Sequence, residues 1–363
     1  MYKRIKGIAM NRLVPKAMRT SIYTRQYFAK KLSYTIYNGD SISILIDEAL
    51  DMYLGEEEKS NLKYLKEVVY KIIKGNLKYG FKPHEFFLYG LIGKPEEEWA
   101  FYMSEQDRVT TLQRLFGSTI KAELRDKWRF YELARPFFKR KMFRLTPSTD
   151  VEQYSQFVID AEHVFCKPTQ GHMGIGVHKE DIYNIQDAQK LREKLLAEDT
   201  DWVIEECIKQ EQGMSAWNES SVNTIRFPAF LKNGEFTPFY PRIRVGRKGQ
   251  IIDNVSQGGL VALIDAKTGV ICSDGFIKDK ETVEAHPDSG LRFKGTKIPQ
   301  WEELLEYAEQ LHRSLPQHVY IAWDFALTEN GWDVIEANWG QMDATQMMIG
   351  HGIKEVFHRY IEK

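Results

Sequence analysis

Apolar residues recur at helical spacing through the first third of the chain. Residues 41–54 (S-I-S-I-L-I-D-E-A-L-D-M-Y-L) and 57–74 (E-E-K-S-N-L-K-Y-L-K-E-V-V-Y-K-I-I-K) each line up one apolar face at a period near 3.6. Gly75 and Gly80 punctuate the next stretch, and Pro83 and Pro95 stand where helices begin. Glu96, Glu97 and Glu98 after the second proline suit a helix N-terminus. Two more amphipathic helices are predicted over 104–117 and 124–139.

After Pro147 the period shortens. Residues 163–168, 201–208, 224–231, 237–245, 318–327 and 332–338 are short apolar runs that predict strands. K-N-G-E at 232–235 and T-E-N-G-W at 328–332 carry turn chemistry and predict antiparallel hairpins. Helices are predicted over 187–197 and 300–314. The alternation points to an α+β or mixed α/β body after a mostly helical N-terminal region, with no internal repeat.

Composition narrows the class. With 43% hydrophobic, 13% aromatic and 28% charged residues among 363, the chain is an ordinary globular one. No run of about 18 apolar residues predicts a membrane span. The start lacks the apolar core and cleavage site of a signal peptide, so a cytoplasmic location is expected. Cys166, Cys207 and Cys272 stand far apart without a C-x-x-C, which fits a reducing compartment and neither a disulfide framework nor a cysteine zinc site. The net charge of −1 hides an asymmetry: residues 1–39 hold nine Lys or Arg and no acid, leaving a body with 41 basic against 51 acidic groups. Three readings of this basic arm stay open. It is a solvated or core-capping helix, a contact with the inner face of a membrane through its interleaved apolar residues, or a site for an anionic carrier or nucleic acid. The acidic body argues against nucleic acid.

Four features carry candidate chemistry. In W-D-F-A-L-T-E-N-G-W-D-V-I-E-A-N-W-G (323–340), Glu336 and Asn338 lie two apart on one strand and so share a face, and a hairpin brings Asp324 beside them. Two carboxylates and an amide oxygen are hard ligands suited to Mg²⁺. In F-C-K-P-T-Q-G-H-M-G-I-G-V (165–177), a strand ending in Lys167 enters a loop with Gly171, Gly174 and Gly176, whose backbone N–H groups can approach phosphates. It is neither a Walker loop nor a Rossmann fingerprint. In V-I-E-E-C-I (203–208), Glu205, Glu206 and Cys207 end an apolar strand, where a backbone N–H and C=O could meet an adenine edge. Lys127 is the fourth. Arg242 and Arg244 share a strand face and, with Arg226, can fork onto carboxylate or phosphate. No zinc-type histidine spacing and no G-x-S-x-G occur.

Taken in order, Lys127, Lys167 before the glycine loop, Glu205–Cys207, Asp324 and Glu336-x-Asn338 resemble the ATP-grasp signature. N-T-I-R (223–226), D-N-V-S-Q-G-G (253–259) and the W-D-F…V-I-E-A-N-W-G close resemble its sugar-transfer-associated family. The resemblance spans about residues 105–363 and implies an α+β ATP-grasp fold, two lobes gripping ATP. The helical region would run 1–110, the small lobe with its glycine-rich lid 111–204, and the C-terminal lobe 205–363. It implies an ATP-dependent carboxylate–amine ligase that forms an acyl phosphate, with an acidic sugar or amino acid as carboxylate. Lys127 and Lys167 would meet ATP phosphates, Gly171–Gly176 would form the lid, and Glu205–Cys207 would hold adenine. Glu211 or Gln212 would meet ribose, and Asp324, Glu336 and Asn338 would bind Mg²⁺. Arg226 and Arg244 would act on the transferred phosphoryl or the acceptor, near Asn254, Ser256, Gly258 and Gly259. The alternatives are a phosphotransferase acting on a non-carboxylate acceptor and a silent nucleotide-binding subunit.

Overall fold

The computed structural model describes residues 42–116, 123–170, 176–253, 258–277, 282–338 and 343–362. The basic arm, Gly171, Gly174, Asn254 and Ser256 lie outside the described residues. The chain divides into two units, one of residues up to 112 with those from 340 on, the other of residues 113–339. Helices Asp343–Ile349 and Lys354–Glu362 belong to the first of these units.

In the helical unit the 57–74 pattern is cut in two. Helices Glu56–Ser60 and Leu62–Tyr79 meet at Asn61, whose side chain accepts from Tyr64 N at 3.1 Å and starts the second helix. That helix buries Leu65, Val68, Val69, Ile72 and Ile73 against Phe81, Phe86, Leu91 and Trp99. The attachment of residues 343–362 includes polar contacts, buried at Gln346. Gln346 exchanges hydrogen bonds with the Met103 backbone (2.8 and 2.9 Å), and Tyr102 Oη donates to Gly350 O at 2.9 Å. Nothing in the local pattern of 343–362 announces this, because the partner is a distant backbone.

The second unit holds two antiparallel sheets. The smaller has the order β1 (Met142–Leu145), β4 (Trp202–Glu206), β2 (His163–Pro168), β3 (His178–Asp181). Helices Val151–Ala161 and Ile185–Leu196 pack on it, sharing a core of Leu145, Tyr154, Val158, Val164, Leu191 and Trp202. The larger sheet runs β10 (Thr282–Val283), β9 (Gly275–Phe276), β8 (Leu260–Leu263), β7 (Arg242–Val245), β5 (Thr224–Lys232), β11 (Tyr320–Thr328), β12 (Gly331–Asn338). The strand β6 (Glu235–Pro238) also pairs with β5. The single strand predicted over 237–245 is therefore two, parted at Phe239–Pro241, where Tyr240 takes a left-handed φ of 51°. The hairpins at 232–235 and 328–332 form as their turn residues predict, with Gly331 at φ 93°.

Alternation makes the larger sheet two-faced. Ile225, Phe227, Ile243, Val245, Leu260, Ala262, Trp323, Phe325 and Leu327 face a core closed by Leu304, Ala308 and Leu311 of helix Trp301–Arg313. Thr224, Arg226, Arg242, Arg244 and Asp324 face the other way. No helix among the described residues is long and apolar enough to cross a membrane.

Gly75 lies inside a helix, a place that ordinarily favours alanine, yet a Cβ there would stand 2.0 Å from the ring of buried Phe86. Gly75→Ala should therefore lower stability by about 1–3 kcal/mol through overpacking. Denaturant unfolding followed by circular dichroism checks this, and a raised midpoint would contradict it.

Candidate active site

Register assembles the site. Arg242 pairs with Arg226, Arg226 with Asp324, and Asp324 with Glu336, so four side chains from four adjacent strands stand in one row on one face. Every member is charged. Such a row survives burial only where opposite charges meet. Arg226 forks onto Asp324, Nε to Oδ1 and Nη2 to Oδ2 (3.0 Å). Arg244 adds Nη2 to Asp324 Oδ2 at 2.9 Å. Burial alone would push the Asp324 carboxyl up, but Arg226 and Arg244 outweigh it and hold it below the usual range.

The N-T-I-R segment supplies one function per residue. The Asn223 amide donates to Gln210 Oε1, Met214 O and Asn218 O, and accepts from Gly246 N. Thr224 Oγ1 accepts from Arg244 Nε (3.0 Å) and Nη2 (2.9 Å) and donates to buried Asp253, aiming Arg244 at Asp324. Ile225 fills the core, and Arg226 enters the charged row.

A β-bulge decides what else reaches this face. Asp324 opposes Glu336 but Phe325 opposes Val334, leaving Ile335 as the extra residue. Without it, Val334 and Glu336 would share a face. With it, Val334 stays in the core and Glu336 turns to the charged row. The same shift puts Asp333, paired with Ala326, on the Glu336 side. Plain alternation along 332–338 predicts the opposite face for Asp333, so sequence pattern alone does not find it.

Asn338 Nδ2 lies 2.9 Å from Glu336 Oε1 and 3.3 Å from Asp324 Oδ2, so the three predicted metal ligands converge. Burial, with Asp324 next to it, raises the Glu336 carboxyl above its ordinary value. A buried and a half-buried carboxylate crowded together, with an amide that can turn its oxygen inward, form a donor set that fits a hard divalent cation. Among the described residues no group of three His, Cys, Asp or Glu is placed to hold a metal. The candidate set is two carboxylates and an amide.

The two lysines lie beside this row. Asp126 caps helix Lys127–Ala134, accepting from Trp128 N and Arg129 N, while Lys127 N donates to Thr169 O and Lys127 Nζ to Pro168 O (both 3.0 Å). Burial depresses the Lys127 ammonium pKa, and Glu336 pulls it back up while Lys167 lowers it further. Lys167 Nζ bonds Glu205 at 2.9 Å (Oε1) and 3.0 Å (Oε2). Glu205 is also gripped by Arg140, Nε to Oε2 at 2.8 Å. Arg140 carries no signal in the sequence beyond a basic run, K-R-K at 139–141, of the kind usually left in solvent.

In the segment 205–207 two backbone donors are already engaged. Glu206 N donates to Lys141 O and Cys207 N to His163 O (both 3.1 Å), so these two backbone donors are spent inside the sheet. The Glu206 carboxylate accepts from Lys141 N at 2.8 Å, and burial pushes the Cys207 thiol up to about 11. Glu211 caps the short helix Gln212–Ser215 by accepting from Met214 N at 3.1 Å. Gly176, at φ 74°, and Gly258, at φ 90°, take backbone forms that suit glycine.

Comparison with known proteins agrees with this architecture. The family model described as sugar-transfer associated ATP-grasp matches residues 118–362, and the chain belongs to that family, with its α+β ATP-grasp fold. Similar solved structures include the D-alanyl-alanine synthetase A of Vibrio cholerae (14% identity, TM-score 0.42, 66% of this chain and 65% of that one). Others are the D-alanine–D-alanine ligase of Bacillus anthracis (15%, TM-score 0.42, 73% and 76%) and the N5-carboxyaminoimidazole synthase of Aspergillus clavatus (10%, TM-score 0.37, 60% and 45%). This chain thus spans just under two thirds of the first of these. No curated protein matches it.

The crowded carboxylates have a measurable consequence. A carboxyl raised in the folded state contributes stability below its unfolded value, near 4.5 for Glu336, and loses it as pH rises through the folded value. Glu336→Gln should therefore melt above the wild type at pH 7 without ligand, and the gap should close toward pH 4.5. Melting below the wild type at pH 7 would contradict the geometry.

Proposed function

We propose that the chain is an ATP-dependent, ADP-forming carboxylate–amine ligase. The observation that carries this reading is the convergence of Asp324, Glu336 and Asn338 with Arg226 and Arg244 on one buried sheet face, with Lys127 and Lys167 alongside. Family membership supports it.

Asp324, Glu336 and Asn338 would hold Mg²⁺, which neutralises phosphate charge when bound. The chain's own residues do the rest. Lys127 and Lys167 would meet the phosphates of ATP, Glu205 near the end of β4 would stand beside the nucleotide, and Gly171, Gly174 and Gly176 would serve as its lid. A carboxylate oxygen of the substrate attacks the γ-phosphorus, the bond to the β–γ bridging oxygen breaks, and ADP leaves. The lone pair of an amine then attacks the acyl carbon, phosphate departs with the C–O bonding pair, and the nitrogen loses a proton. Arg226 and Arg244, already fixed against one carboxylate, have the fork geometry to steady the transferred phosphoryl and the acceptor. Exclusion of water protects the acyl phosphate. Glu206, Cys207 and Glu211 contribute through position, holding the edge where the base and ribose would lie. The family's name supports a carboxylate from sugar-conjugate or cell-surface polysaccharide synthesis, joined to an amine. A peripheral membrane contact of residues 1–39 would place the enzyme where such substrates are made.

Incubation with ATP, Mg²⁺ and a panel of acidic sugars and amino acids, with hydroxylamine as amine, should give ADP, phosphate and a hydroxamate. ADP release without hydroxamate from any carboxylate would favour phosphoryl transfer to another acceptor. Glu336→Gln should lower turnover by about 10³-fold or more while the protein stays folded, on the scale of losing one charged group at a phosphoryl-transfer site. Retained turnover would sink the assignment.

A further inference from the structure

Glu205 is buried, 3% exposed, at the end of β4. A buried carboxylate must keep a counter-charge. Two cations supply it. Lys167 approaches both oxygens, and Arg140 donates Nε to Oε2 at 2.8 Å. Arg140 also donates Nη1 to Asp333 Oδ2 and to Val334 O, both at 2.8 Å, and its guanidinium lies 5.1 Å from the centre of the Phe138 ring. Asp333 Oδ1 accepts from Lys139 N at 3.0 Å. Arg140 is therefore clamped between β4 of the small sheet and β12 of the large one.

The two cations differ in freedom. Arg140 is locked at three acceptors with its side chain 4% exposed, whereas Lys167, 12% exposed, has one side-chain hydrogen-bond partner residue among the described residues, Glu205, and otherwise lies over the Phe165 ring at 5.2 Å. Lys167 can leave Glu205 only if the carboxylate stays compensated. Burial alone would raise the Glu205 carboxyl, and the Arg140 and Lys167 charges together hold it down instead.

We propose that Arg140 is a positioning residue: it retains the Glu205 charge so that Lys167 can turn from Glu205 to a nucleotide phosphate. This rests on the ATP-site reading above. It gives Arg140 no contact with substrate. Its effect passes through Glu205, and removing the carboxylate charge should make Arg140 dispensable for binding. A residue that merely packed the sheets together would show no such dependence.

The test is the Kd for ATP with Mg²⁺, by calorimetry on the full chain, with circular dichroism as the fold control. Arg140→Met should weaken ATP binding by about tenfold or more, because Lys167 becomes the one cation left hydrogen-bonded to Glu205 among the described residues. Arg140→Met in a Glu205→Gln background should change Kd by no more than about twofold relative to Glu205→Gln alone. Both members of this second comparison also carry Asp333→Asn, so that it holds even if Arg140→Met by itself does not fold, because neither Glu205 nor Asp333 is then left as an unpaired buried charge. Wild-type-like affinity in folded Arg140→Met would overturn the inference and leave the ATP-site reading intact. So would a tenfold loss in the Glu205→Gln background. Absence of ATP binding by the wild type would sink the ATP-site reading, and this inference with it.

Discussion

The structure depends on a row of charge laid across the middle of a sheet. Arg226 and Arg244 converge on buried Asp324, and Glu336 stands half-buried across from it on the next strand. Burying one such carboxylate unpaired would cost several kcal/mol, a large part of the stability of an ordinary domain. The pairing removes that cost for Asp324, while Glu336, held by the Asn338 amide, keeps a carboxyl raised above its ordinary value. A cation beside it would stabilise that carboxylate. The apolar face behind the row, with Trp323, Phe325, Phe227 and Ile243, holds the strands whose register sets the charges.

Much of this is legible in the residues. Strand alternation puts Glu336 with Asn338 and Arg242 with Arg244, and the T-E-N-G-W turn brings Asp324 across from them. These are local rules with a period of two, and they hold wherever a strand is regular. They fail at the bulge. One extra residue, Ile335, changes the parity of β12 and moves Asp333 onto the face of Glu336, which no count along the sequence reveals. The break at Phe239–Pro241 is hidden for a related reason, since apolar residues there continue the pattern while the backbone turns.

Other features are tertiary and leave no local mark. Arg140 looks like one cation in a basic run, and only packing shows it sandwiched between Glu205 and Asp333. The spent N–H groups of Glu206 and Cys207 follow from strands on both sides of β4, a fact of topology. Gln346 binding the Met103 backbone links residues more than two hundred positions apart. Helix ends, by contrast, obey side-chain chemistry: Asn61, Asp126 and Asn184 each cap the helix that begins after them.

The central claim is that Asp324, Glu336 and Asn338 together hold a divalent cation against a nucleotide. A crystal structure with Mn²⁺ and a non-hydrolysable ATP analogue, using anomalous scattering to locate the metal, tests it directly. The account predicts an anomalous peak bounded by Asp324, Glu336 and Asn338, with Lys127 and Lys167 turned to the phosphates. A nucleotide bound without metal at these residues, with Asp324 still clasped by both Arg226 and Arg244, would contradict it.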